Sequence, residues 1–297
     1  MLSLLKYLER GKFKFKRNYS LKEHSSIKIG PLVDVYVEPC SIEELKNIIS
    51  FLRCGGYKFT IIGGLTNTLF LCESYSGTVI STLKIATLLH RGKTVYAECG
   101  VRLSALMRYA EGKLLGGYPG LCHIPGTVGA AVRGNVGSFG NEISDIFIEG
   151  CFLNKWCEEI TLTKEEMQFG YRSSRAKRED LILLSAKFGF IEASPDGMKA
   201  ARESCFLKRR MSQPLDMRSL GSVFLKADGA SAGYYIELAG LKGYRIGGAA
   251  ISEKHAGFIV NLGDASASDV MALIEYTKNT VFSRYGVRLT EEIEIIR

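Results

Sequence analysis

HIPGTVGAAVRGNVGSFGNE, His123 to Glu142, carries five glycines in twenty residues and hardly a side chain large enough to build a core. Glycine accepts positive φ and lets the backbone come close to a ligand, so a cluster this dense marks tight turns or a backbone cradle for an anion. A second glycine turn, GGLTN (Gly63 to Asn67), follows the short apolar run YKFTII about sixty residues upstream. Neither segment is a familiar phosphate loop. No GxxxxGK[ST] occurs, and GGLTNTL has threonine and leucine where a GxGxxG fingerprint needs its later glycines.

The chain around these cradles has 297 residues, 46% of them hydrophobic, which suits a folded protein with a real core and excludes a disordered one. The first residues, MLSLLKYLERGKF, are interrupted by Lys6, Glu9 and Arg10, and nowhere do roughly 18 apolar residues follow one another, so no signal peptide, no membrane span and a cytoplasmic location are expected. Eight cysteines lie scattered without a CxxC pair, several inside apolar runs such as LFLC, and read as reduced, buried thiols rather than a disulfide frame or zinc site. Four histidines without HExxH or HxH spacing make no metal centre. The net charge of +8 is concentrated in KFKFKR (Lys12 to Arg17), SRAKR (Ser174 to Arg178) and LKRR (Leu207 to Arg210). Such a surplus suits nucleic acid or small molecules carrying several phosphates, and equally a set of solvated surfaces. Charge alone does not choose among them.

The remaining sequence alternates strand and helix signals. VDVYVEP reads as a strand. SIEELKNIISFLRCGG reads as a helix with Ser41 as N-cap, Glu44 three residues on, apolar positions at helical spacing and Gly55 as its stop. KTVYAECG then predicts a strand and RLSALMRYAEGK a helix, while DIFIEGCFLN, EEITLT and DLILLSAKFGF predict strands of a largely antiparallel sheet. From about residue 196 a basic helix runs through Arg210, followed by the loop MSQPLDMRSLGSVF and the helix SAGYYIELAG capped by Ser231. HAGFIVN predicts a strand, a long helix follows from about Ser268 to Tyr285 with Gly286 closing it, and VRLTEEIEIIR predicts a last strand. With no repeats and no long linker, the expectation is closely packed pieces of one α+β unit.

Together the two cradles resemble the flavin-binding domain of the UDP-N-acetylenolpyruvoylglucosamine reductases, in which a GGGSN-like turn and an IPGTVGGA…NAGAYG segment wrap the FAD pyrophosphate. HSSIKIGP (His24 to Pro31) with VEP (Val37 to Pro39), resembling that family's opening strand, FGYRSS (Phe169 to Ser174), Gln213-Pro214, GSVF (Gly221 to Phe224) and IELAGLKGYRIGGAAISEKHAGFIVN (Ile236 to Asn261) appear in the family's order, so the resemblance spans nearly the whole chain. It implies an α+β protein with an FAD-binding domain of the PCMH or vanillyl-alcohol-oxidase type, made of two subdomains, plus a C-terminal α/β substrate-binding domain. The expected boundaries are 1–75 with 288–297, then 76–200, then 201–287. The shorter subtype of the family is implied, because little room exists between Arg172 and Ser222 for a substrate-covering insertion.

The implied reaction is reduction of the enolpyruvyl ether of UDP-N-acetylglucosamine to UDP-N-acetylmuramate, a step toward peptidoglycan, with hydride passing from NADPH to FAD to substrate. By resemblance Arg172 stabilises the substrate carboxylate, Ser222 protonates C2, and Glu292 is the third catalytic residue; its neighbour Glu291 would point to the other face of a strand. The implied cofactor-binding set is Ile62, Gly63, Gly64, Leu65, Thr66 and Asn67 in the first cradle. In the second it is Pro125, Gly126, Thr127, Gly129, Ala130, Arg133, Asn135, Gly137 and Gly140. Lys208, Arg209, Lys242 and Lys254 are candidates for the substrate's phosphates, and Tyr171 and Tyr244 for stacking or hydrogen bonding beside it. FAD is expected to be non-covalent, no metal is implied, and the partners are the UDP-sugar and NADPH on a monomer without nucleic acid or membrane. The chain departs from the family at Leu65 and Thr66, which stand in place of Gly-Ser, at Ala130 and Gly257, which replace a glycine and a common asparagine, and at LKADG after GSVF. Leu65 puts a side chain where bare backbone is expected. Another flavoenzyme of the same fold and a basic nucleic-acid-binding protein remain as alternatives.

Overall fold

The computed structural model describes residues 2–297, which cluster into two units. The first holds the described residues up to Asn18 with Asp34–Gly64 and Ser76–Phe206; the second holds Tyr19–Val33, Leu65–Tyr75 and Leu207–Arg297.

In the first unit Ser41 caps the helix Ile42–Cys54, its hydroxyl accepting from the Glu44 N–H at 3.1 Å, while the Glu44 carboxylate reaches back to the Cys40 N–H at 2.8 Å. Leu45, Ile48, Ile49 and Leu52 form its buried stripe. A four-stranded sheet has the order Phe15–Ser20, Leu32–Val37, Ser74–Ser81, Phe59–Ile62. Its last two strands run parallel with Ile62 opposite Ser81, which leaves Gly63 at a strand's end. A five-stranded antiparallel sheet has the order Glu159–Thr163, Phe147–Leu153, Ile182–Gly189, Thr94–Glu98, Leu88–Arg91. One core joins both sheets and their helices, from Leu4 and Leu8 through Ile48 and Val95 to Phe152 and Phe188. Each such aliphatic side chain, fully removed from water, contributes about 1.5–3 kcal/mol before entropy is set against it.

In the second unit a four-stranded antiparallel sheet, Arg218–Ser222, Phe258–Asn261, Ala249–Ile251 and Arg245–Ile246, packs under the helices Ala232–Leu238 and Ala267–Tyr285. Ser231 and Ser266 are the N-caps, and Gly286, at φ 71°, is the left-handed stop of the long helix. The strand Glu294–Ile296 lies parallel to Thr68–Phe70, with Glu294 opposite Thr68.

Three readings need correction. His24–Pro31 is turn and loop rather than a strand, because Leu21, Ser25 and Pro31 bond one another and close it locally. The last strand covers only Glu294–Ile296, so Glu291 and Glu292 lie outside it. The cysteines are all free, but only Cys99 and Cys122 are buried, while Cys40 and Cys54 are exposed. Burial pushes the Cys99 and Cys122 thiols up to about 12, which leaves both inert. Among the described residues no helix is long and apolar enough to cross a membrane, and no group of three or more His, Cys, Asp or Glu side chains could hold a metal ion.

Candidate active site

The two glycine-rich segments meet inside the first unit. A Cβ on Gly63 would lie 2.4 Å from Oγ1 of Thr127, so only glycine allows the approach. Thr127 is itself buried and caps the helix Val128–Arg133 by accepting from the Ala130 N–H. Gly126, at φ 116°, accepts from the Leu103 N–H at 3.0 Å, and the Val128 and Gly129 N–H groups donate to the carbonyls of Val101 and Cys99, both at 2.8 Å. Gly100 closes the base, where a Cβ would stand 1.8 Å from the Thr82 carbonyl oxygen. The sequence reading did not single out Gly100; its signal is the Cys-Gly pair ending KTVYAECG.

Along the turn Gly63, Gly64, Leu65, Thr66 and Asn67, no backbone N–H has a protein acceptor among the described residues. Successive undonated amides form a nest for an anionic oxygen, which is what a diphosphate requires. Leu65 adopts φ 49° and is only 4% exposed, so its side chain is turned into the protein.

The rest of the long run is held by its own side chains. Asn135, at φ 41° and 1% exposed, donates to Glu142 Oε2 and the Gly170 carbonyl, both at 3.0 Å, and accepts from the Ser144 N–H at 2.9 Å. Arg133 donates to the carbonyls of Ala176 and Lys177 in the short helix Arg175–Arg178, and lies 3.7 Å from Asp180. Gly137 packs against Asn141, whereas Gly140, at φ 84°, has open space beside it. Gly170 and Ser173 exchange backbone bonds at 3.0 and 3.1 Å and so fold a tight corner with Tyr171 and Arg172 at its tip. Arg172 takes φ 51°, donates to the Gly137 carbonyl at 2.8 Å and lies over the Tyr171 ring at 5.0 Å. A non-glycine residue held in this region costs on the order of 1 kcal/mol, so these contacts oppose real strain.

In the second unit Glu292 is hydrogen-bonded to Asn67 and to Val223, the residue after Ser222. The Glu292 N–H donates to the carbonyl of Val223, next to Ser222, at 2.7 Å. The Asn67 side-chain amide donates to the Glu292 carbonyl at 3.2 Å, and the Glu294 N–H to the Asn67 carbonyl at 2.8 Å. The Ser222 hydroxyl donates to the Phe224 carbonyl at 3.3 Å. Glu291 is engaged elsewhere, accepting from Lys278 Nζ at 2.8 Å, which raises the lysine pKa. A hydroxyl and a carboxylate held on neighbouring chain segments can deliver and direct a proton.

The six substrate candidates are spread over several elements. Lys242 is ion-paired with Glu237 at 2.7 Å, and Lys254 donates to the Arg210 carbonyl. Arg209 is buried on the helix Pro195–Ser212 and approaches Gln213, while the Lys208 carbonyl on the same helix accepts from Ser212. Tyr244 stacks on Tyr276 with centroids 4.3 Å apart, both rings being partly exposed. Tyr171 is exposed beside Arg172. Of the basic runs, Lys14 pairs with Glu38, Arg175 with Glu179, and Arg178 donates to Gln168.

Two family models match the chain. One described as an FAD binding domain matches residues 33–151, and one described as the C-terminal domain of UDP-N-acetylenolpyruvoylglucosamine reductase matches residues 213–296. The reductase of that name from Caldicellulosiruptor bescii is 39% identical over 292 residues, covering 98% of this chain and 93% of its own length. The UDP-N-acetylenolpyruvoylglucosamine reductase 2 of Bacillus anthracis is 36% identical over 281 residues, 95% of this chain and 92% of its own. The crystal structure of the Thermus caldophilus enzyme superposes with a TM-score of 0.82 at 28% identity, covering 96% of this chain and all of that one. The chitooligosaccharide oxidase structure, at TM-score 0.50 and 12% identity, covers 97% of this chain and 60% of its own, and shares the fold alone. The match to both family models and 39% identity to a reductase of that name along nearly the full length place this chain in the UDP-N-acetylenolpyruvoylglucosamine reductase family.

Proposed function

We propose that the protein reduces the enolpyruvyl ether of UDP-N-acetylglucosamine to UDP-N-acetylmuramate, with non-covalent FAD as cofactor and NADPH as reductant. The observation that carries this reading is the continuous path from Asn67 of the first cradle to Glu292 and on to Val223, beside Ser222. Within the second unit it joins the last residue of the glycine turn to the residues assigned to the chemistry.

The residues present fit the flavin. The undonated amides from Gly63 to Asn67 offer a nest for its diphosphate, and the inward side chain of Leu65 leaves that nest bare. That cradle would hold FAD, which would supply the hydride chemistry at C3 of the enolpyruvyl group with NADPH as the source of reducing equivalents. The protein handles the charge and the proton. Hydride arriving at C3 leaves negative charge on C2 that spreads into the carboxylate, and the planar guanidinium of Arg172 suits that carboxylate. Ser222 delivers the proton to C2, which is basic enough to take it from a hydroxyl. Glu292 holds the carboxylate side. Ile62, Pro125, Gly126, Thr127, Gly129, Ala130, Gly137 and Gly140 shape the cofactor cradle, with Arg133 and Asn135 acting through the backbone they brace. Lys208, Arg209, Lys242, Lys254, Tyr171 and Tyr244 are assigned to the UDP-sugar. In this reading residues 1–75 with 288–297 and 76–200 hold FAD, 201–287 hold substrate, and a cytoplasmic monomer suffices.

Purified protein is expected to be yellow, to release its flavin on denaturation, and to oxidise NADPH in proportion to added UDP-enolpyruvyl sugar. A colourless preparation that takes up no FAD, or oxidation indifferent to the sugar, overturns the assignment.

A further inference from the structure

His255 lies on the turn between the strands Ala249–Ile251 and Phe258–Asn261. The turn is tightly braced: the Ser252 hydroxyl accepts from the Lys254 and His255 N–H groups at 3.2 and 3.3 Å, and the Phe258 N–H donates to the His255 carbonyl at 2.9 Å. Two glycines make room for the imidazole. A Cβ on Gly257 would stand 3.1 Å from His255 Cε1 and 3.5 Å from Ser222 Oγ, and one on Gly233 would stand 3.3 Å from the same Cε1. Ring and hydroxyl therefore flank one point.

Nδ1 of His255 accepts from the Gly257 N–H at 3.1 Å. The Gly257 carbonyl accepts from the Val223 N–H at 2.8 Å, and the Val223 carbonyl from the Glu292 N–H at 2.7 Å. Three hydrogen bonds thus follow one another from the imidazole, past the residue after Ser222, to Glu292. Successive bonds sit on different peptide groups joined through the Cα atoms of Gly257 and Val223, so the coupling is positional: the imidazole holds the Gly257 backbone, which holds Val223 and through it Glu292. Resting on the reading of Ser222 and Glu292 given above, we propose that His255 is a positioning residue that holds both in register through this backbone relay.

The relay needs a neutral ring. Burial holds the His255 pKa below its usual value and Lys242 lowers it further, while an interaction with the residue's own backbone and Glu237 on the helix Ala232–Leu238 oppose the shift. Near pH 7 Nδ1 is then free to accept. Protonation puts a hydrogen on Nδ1 facing the Gly257 N–H, and the first bond of the relay is lost.

The test uses holoenzyme with its flavin reduced by dithionite, mixed with the UDP-enolpyruvyl sugar, reading flavin reoxidation against pH. His255→Leu should slow it about 10- to 100-fold, the loss expected when reacting groups shift by about 1 Å. His255→Asn, whose Oδ1 occupies the place of Nδ1, should restore the rate to within about threefold of wild type and abolish the acid limb below pH ~6.5. In a Ser222→Ala background, His255→Leu should cost less than it does in the wild type, because only the Glu292 end of the relay is left to disturb. Wild-type speed in His255→Leu beside a slow Ser222→Ala overturns the relay alone, as does an Asn variant as slow as Leu, one that keeps the acid limb, or additive losses. If His255→Leu does not fold, the Asn variant's rate and pH profile decide. Near-normal reoxidation in Ser222→Ala removes the underlying reading of Ser222, and the relay with it.

Discussion

The cradle around Gly63 and Thr127 and the cluster around Ser222 and Glu292 are built on opposite plans. In the cradle side chains are absent, as at Gly63, or turned inward, as at Leu65, and the backbone N–H groups are left undonated. In the cluster the backbone is spent, through the bonds from Val223 to Gly257 and from Glu292 to Val223, and the side chains are what it presents. The first plan should be damaged by adding atoms and the second by removing functional groups. Cofactor binding and proton delivery should therefore separate cleanly under mutation.

The largest effect is expected from Ser222→Ala. NADPH should still bleach the flavin, while reoxidation by the UDP-sugar falls ~10²–10⁴-fold, the range for a lost general acid. Stopped-flow absorbance of each half-reaction reads this directly, and near-normal turnover would take Ser222 out of the chemistry. Gly63→Val should do the converse. Its Cβ would meet Thr127 Oγ1 at 2.4 Å, and such overpacking costs about 1–3 kcal/mol. If the loop moves to relieve the contact, FAD affinity falls by about tenfold or more. Fluorescence titration of the apoprotein measures it, and unchanged affinity would mean that the two runs do not form one cradle.

Much of this contrast is written in the sequence, but unevenly. The helix Ile42–Cys54 is legible because its cap, its apolar spacing and its stop are all local, and the glycine runs are legible because few other roles need so much bare backbone. The partners of Asn135 are not legible: Glu142, Ser144 and Gly170 are ordinary residues that meet only after the chain has folded. The relay from His255 to Glu292 is less visible still, since two of its three bonds join backbone groups that any residue would supply. The same reason explains the final strand, which the alternation of VRLTEEIEIIR overstates: pairing with Thr68–Phe70 spans only Glu294–Ile296.

Leu65→Gly tests the cradle from the other side. Glycine relieves a left-handed backbone by roughly 1 kcal/mol but removes a buried side chain worth about 1.5–3 kcal/mol, so a net loss of about 0.5–2 kcal/mol is expected in denaturant unfolding. FAD affinity should hardly change, because the amides and not the side chain make the nest. A tenfold gain in affinity would show instead that Leu65 obstructs the pyrophosphate.

Glu291 and Glu292 give the finest form of the comparison, two adjacent carboxylates with opposite assignments. Glu291 is tied to Lys278 at 2.8 Å on a partly exposed edge of the long helix. Glu291→Gln should therefore cost only about 0.5 kcal/mol of stability, less at high salt, and leave flavin reoxidation intact. Lys278 has a raised pKa because of this partner. Its stabilisation is complete below the unfolded lysine value of 10.5 and disappears as the pH rises through the higher folded value, so wild type and variant should converge in strongly alkaline solution. Glu292→Gln should reverse the pattern, keeping stability and slowing reoxidation. If Glu291→Gln slows reoxidation as much as Glu292→Gln does, the distinction between a carboxylate that braces the helix and one that serves the substrate is lost.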